Sequence, residues 1–140
     1  MKKLIMSLAL MALSFSAVAD TGCEPGQSET INLEEAMERT GELFQDLRRA
    51  IVRGNLDAEA LAMSAEINQL LYISLPMGAQ IKALDANKKI LYKKLMADTL
   101  AESYALEEAI LMGAADLAKT KALAVNEKRK EAHDIFDPED

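Results

Sequence analysis

The chain has 140 residues, a formal net charge of −7 at neutral pH, one histidine, one cysteine and no tryptophan. That acidity makes nucleic acid and anionic lipid poor partners, and a lone cysteine excludes an intramolecular disulfide. A single histidine likewise excludes any multi-histidine zinc site.

In chain order, Met1-Lys2-Lys3 precede an apolar run from Leu4 to Val18, interrupted only by serines and closing in Ala17-Val18-Ala19. A basic start, an apolar middle and a small-x-small end are the layout of a cleavable secretory signal, and the run is shorter than the roughly 20 residues a membrane span needs. The expectation is an exported, periplasmic protein without a membrane span. Cleavage after Ala19 leaves 121 residues, one modest domain around a single core, and loss of Lys2 and Lys3 takes the net charge to −9. Thr21-Gly22-Cys23 also resembles the end of a lipoprotein signal, although Asp20 stands where such signals carry a large apolar residue. Cys23 therefore reads as an exposed thiol able to link two chains, with lipid anchoring as the minor alternative.

Residues 20–31 are rich in Gly, Pro, Ser, Thr and acids without an apolar period, the composition of a disordered leader. Helical patterning begins after them. Asn32 is a good N-cap, Glu34 and Glu35 suit the first turn, and Leu33, Met37, Thr40, Phe44, Leu47 and Ile51 recur on one helical face until Arg53-Gly54-Asn55 stops it. A second helix starts near Asp57, carries Leu61, Ile67, Leu70 and Leu71, and is closed by Pro76 and Gly78. The third apolar series runs from about Leu84 through Ile90, Leu91, Leu95, Leu100, Leu106 and Ile110 to Gly113. A fourth helix spans about Ala114 to Phe136, before Pro138 and an acidic tail at 138–140. Four helices with short connections and no strand-like alternation predict an all-α, up-down-up-down antiparallel bundle over residues 32–137.

The fourth helix differs from the others. Its inward candidates, Ala115, Ala118, Ala122, Val125 and Ala132, are small, and only Phe136 is large. Interiors fill to crystal-like density, so an alanine-lined helix either approaches a neighbour closely or leaves room for something flat.

In such a bundle the start of the first helix and the end of the fourth lie at the same end, so Met37 and His133 can face each other. Thioether and imidazole on opposite sides of an iron form the axial pair of electron-transfer haems, in which the weakly donating thioether favours the ferrous state. Spacing alone does not establish this, because a methionine on a helical stripe is ordinarily core and a lone histidine is ordinarily unremarkable.

Two segments sharpen the reading. Leu33-Glu34-Glu35-Ala36-Met37-Glu38 resembles the Leu-Glu-Asp-x-Met-Glu opening of the soluble cytochrome b562 family, and Arg129-Lys130-Glu131-Ala132-His133 resembles that family's Arg-x-x-x-His. Gly113 lies 20 residues before His133, as the family's glycine between helices three and four does, and Pro76 and Met63 also fall at family positions. The resemblance covers Leu33 to Phe136 and implies one non-covalent b-type haem per chain, with Met37 and His133 as iron ligands. It further implies Arg129 beside the propionates and Met63 against the haem. Where the family has two phenylalanines on helix three, this chain has Tyr92 and Met96. No Cys-x-x-Cys-His is present for covalent attachment.

Arg129 is one turn from His133 and within reach of a propionate; its other reading is an ion pair with Glu34 or Glu38. Lys82, Lys88, Lys89, Lys93 and Lys94 read as a solvated face of helix three. The paired Glu-x-x-His motifs of di-iron bundles are missing, since Lys130 precedes His133 at that spacing, and no nucleophile-base arrangement suggests an enzyme. The expectation is a one-electron carrier whose transient redox partners present a basic surface. The alternative is a haem-free helical bundle that binds other proteins as a stress or assembly factor.

Overall fold

The computed structural model describes residues 32–136. The signal segment, the leader with Cys23 and the acidic tail lie outside the described residues.

Helix α1, Leu33–Arg53, starts where Asn32 accepts the Glu35 N–H at 2.9 Å, with Glu34 and Glu35 in the first turn. It ends at Gly54, whose φ of 79° suits a residue without Cβ, while the Gly54 and Asn55 N–H groups return to the Ile51 and Ala50 carbonyls. Helix α2, Ala58–Ser74, is capped by Asp57, which accepts the N–H groups of Glu59 at 3.1 Å and Ala60 at 3.0 Å. Pro76 leads into a short 3-10 turn, Met77–Gln80, which the apolar pattern does not signal. Helix α3, Ala86–Leu111, begins two residues after Leu84 because the Asp85 carboxylate takes the Lys88 N–H at 2.9 Å and sets the boundary. Gly113, at φ 64°, turns the chain into α4, Ala115–Phe136.

Each helix packs on the next, and α4 closes back on α1, so the fold is an all-α four-helix bundle. Contacts between the helices run antiparallel: Arg39 pairs with Glu66 at 2.9 Å, Lys121 with Glu102 at 3.1 Å, and Tyr92 near the start of α3 meets Phe136 at the end of α4. Among the described residues no helix is long and apolar enough to cross a membrane.

Leu47, Ile51, Ile67, Leu71 and Leu106 are the largest fully buried apolar side chains and define the centre of the core. On α1 the buried face is Ala36, Thr40, Leu43, Phe44, Leu47 and Ile51; Leu33 and Met37, nearer the bundle's end, are half-buried. Ile90 was expected inside and is 70% exposed. The inward phase of α3 is set instead by Tyr92, Leu95, Met96 and Thr99, and a residue two positions before Tyr92 falls on the opposite face. Thr40, Ser74 and Thr99 satisfy their buried hydroxyls by donating to the carbonyl four residues back, at 2.7 Å in each case.

Helix α4 resolves the alanine question in an uneven way. Ala118, Ala122 and Val125 are buried, and α4 packs most extensively on α3, whereas its seam with α1 is the loosest in the ring. Small side chains let α4 sit close to one neighbour without bridging the gap to the other.

Replacing Asp57 by alanine leaves the first-turn N–H groups of α2 without their acceptor and is expected to lower stability by about 1 kcal/mol. Urea denaturation followed by helical circular dichroism reads the effect, and an unchanged midpoint would contradict it.

Candidate functional site

The end of the bundle that holds the start of α1 and the end of α4 is built from four helices. There Met37 on α1 is half-buried against the apolar core and Tyr92 and Met96 on α3 are part of it, while Met63, in the first half of α2, is half-buried nearer the middle of the bundle. These four side chains share one continuous apolar cluster with Phe136.

Tyr92 is the most constrained of them. Its ring meets Phe136 edge to face, with centroids 5.6 Å apart at 73°, a favoured aromatic geometry. Its hydroxyl donates to the Ser74 carbonyl at 3.4 Å, across the α2–α3 boundary. The same ring lies against Gly78 so closely that a Cβ there would stand 2.0 Å from Tyr92 Cδ1. Glycine in the 3-10 turn is thus what admits the ring. Burial pushes the Tyr92 phenol above its ordinary pKa, because the phenolate loses hydration inside the bundle.

His133 lies in the last turn of α4 and is exposed. The fold brings it to the same end as Met37 and leaves the imidazole in solvent. As a donor set, one thioether and one imidazole suit an iron whose other positions a macrocycle already fills, so the side chains at this end are chemically suited to haem. Among the described residues no group of three or more histidine, cysteine or carboxylate side chains is placed to hold a bare metal ion.

Arg129 is partly buried, and its Nε has no hydrogen-bond partner among the described residues. It forms no ion pair with Glu34 or Glu38. Side chains on a helix lean toward its N-terminus, so from α4 Arg129 leans along the seam toward the C-terminal half of α1. There it helps line an open surface groove of about 430 Å³ with the exposed side chains of Gln45, Arg48, Arg49, Val52 and Arg53.

Reading the sequence missed this groove, as it missed Gly78 and Phe136 as the partners of Tyr92. One signal was present. Four of the five arginines line the groove, while every other basic position except Arg39 is lysine.

Compared with family models, with curated proteins and with solved structures, the chain matches none.

The Tyr92 phenol predicts a pH effect. With its pKa raised in the folded state above the ordinary 10.0, the unfolded chain loses the proton first. The associated stability is complete below pH 10 and is lost as pH rises above it. Denaturation midpoints compared at pH 9 and 11 should fall less for Tyr92→Phe than for the parent chain. Equal losses would mean that the phenol is not protected.

Proposed function

We propose that this protein is a periplasmic one-electron carrier holding one non-covalent b-type haem, with Met37 and His133 as its axial ligands. The observation that carries this reading is the placement of a half-buried thioether and an imidazole at one end of the bundle, on the two helices whose mutual packing is loosest. A bundle that opens anywhere for a flat group opens most readily at that seam.

Met37 and His133 would hold the group, and when bound it supplies a reversible ferric/ferrous couple. As a weak donor the Met37 thioether would favour the reduced state, and the His133 imidazole would help to hold the group from α4. With Met37 and His133 both committed to holding the group, it would serve electron exchange and not the binding of a substrate. Met63, Tyr92 and Met96 would exclude water from the site. Arg129, with an Nε that lacks a partner among the described residues, offers a charge-assisted hydrogen bond to a propionate carboxylate. Attachment is non-covalent because the chain has no Cys-x-x-Cys-His. Its net negative charge favours redox partners with a basic surface and brief association.

A second reading rests on a different observation. Tyr92 and Phe136 pack against each other at this end and His133 stays outside, so the end closes without a cofactor. That arrangement suits a haem-free bundle that binds other proteins.

Haemin titration of the purified chain separates the two. A one-to-one complex with a low-spin, six-coordinate spectrum is expected, lost on Met37→Ala and on His133→Ala, with helical content unchanged. A colourless, fully helical protein with no saturable haemin binding would overturn the haem reading in favour of the second.

A further inference from the structure

The groove between α1 and α4 calls for its own account, because its chemistry runs against that of the chain. The protein carries a net charge of −7, yet Arg48, Arg49, Arg53 and Arg129 converge on one space that no carboxylate of the described residues lines. Arg49 has a partner in Asp46, one turn earlier on α1. Among the described residues Arg48, Arg53 and Arg129 pair with no acid. Arg49 and Arg53 are also four residues apart on one helix, a like-charge spacing that works against the helix. Arg48, Arg49 and Arg53 are solvent-exposed, so water screens their repulsion, and what the cluster offers is an open place for a ligand's counter-charge.

The residue type narrows what that ligand is. The chain uses lysine for most of its basic positions and arginine for these. A guanidinium presents a planar fork of N–H donors that matches two oxygens of a carboxylate or phosphate at once, which an ammonium cannot do. Arg129 already has a buried Nε with nothing to donate to among the described residues, at the groove wall. Gln45 adds an amide able to donate or accept, and Val52 an apolar strip. At about 430 Å³ the space lies within the range of small-molecule sites and is too large for one phosphate ion.

We propose that the α1–α4 groove binds a compact multivalent oxyanion, a molecule carrying two or more phosphate or carboxylate groups, held by forked contacts from Arg48, Arg49, Arg53 and Arg129. The local field of four guanidiniums reverses the sign of the surrounding surface, so that such an anion is drawn to this groove and repelled elsewhere. The site shares Arg129 with the haem reading, but its α1 residues stand apart from it: Gln45 is two turns beyond Met37 along α1, about 12 Å, and the others are farther still, which is why the test varies Arg48 and Arg53.

Titration calorimetry with tripolyphosphate and with citrate tests it, with acetate at matched ionic strength as the monovalent control and the haem-free chain as the protein. Saturable one-to-one binding of at least one multivalent probe is expected, weakened at least about tenfold by the double change Arg48→Gln, Arg53→Gln. The matched change Lys88→Gln, Lys89→Gln on α3 should leave affinity within about twofold. Both arginines lie on the surface of α1, and circular dichroism checks that the variant stays helical. Tighter binding of tripolyphosphate supports the site and identifies its ligands as phosphorylated; tighter binding of citrate supports it and identifies them as carboxylates. Absence of saturable binding to either probe, equal binding of acetate, or equal weakening by the lysine pair would overturn it.

Discussion

The small side chains on the inward face of α4 constrain everything else in this bundle. Ala118, Ala122 and Val125 cannot reach two neighbours at once, and α4 takes its close contact from α3. Larger residues at those positions would have filled the middle of the ring and spread contact evenly. With alanine there, the core shifts toward α1, α2 and α3, where Leu47, Ile51, Ile67, Leu71 and Leu106 are sealed from solvent. The seam between α1 and α4 is what remains, and Met37, His133 and the arginine-lined groove all belong to the two helices that border it.

The candidate haem end and the groove differ in kind. At one end Met37, Tyr92 and Met96 set soft, polarizable and aromatic side chains in or against the core, with Met63 deeper along the bundle and His133 exposed at the edge. Farther along, the seam turns cationic, and Arg129 marks the transition between the two. The direction in which a helical side chain leans brings Arg129 to the cationic stretch as well. On α4 that direction runs away from His133, one turn later in the chain, and toward Arg48 and Arg53.

Stability without a disulfide has to come from packing and from the helix ends. Asn32, Asp57 and Asp85 each cap a helix through a carboxylate or amide oxygen, and Gly54 and Gly113 end two helices in the left-handed conformation. The long connection between α2 and α3 is tied down differently. There the Tyr92 ring fills the space over Gly78 and reaches Ser74 with its hydroxyl, joining the 3-10 turn to α2, α3 and α4. Tyr92 thus serves as a structural bolt at the same end of the bundle as the candidate ligands.

The order and limits of the helices were legible in the sequence, because caps, glycine stops and apolar spacing act locally and each is written in a few neighbouring residues. Asn32, Asp57, Gly54 and Gly113 announced their roles, and period alone located the middle of the inward faces of α1, α2 and α4, whereas Leu33, Met37, Leu61, Ala115, Ala132 and Phe136 are only partly buried and Ala36 and Leu43 join the core of α1. Ile90 was misplaced because an apolar residue states a preference for burial, while the phase of a helix is decided by its whole face. The choice of α3 over α1 as the close partner of α4 was not legible either, since alanines permit approach to any neighbour and only competition among four faces selects one. Sequence by itself determined that Met37 and His133 would share an end. Tertiary structure alone decided that the imidazole lies in solvent, that Tyr92 settles on Gly78, and that four arginines from two distant segments line one groove. Burial and convergence are properties of surfaces meeting in space, and no single stretch of chain contains both sides of that meeting.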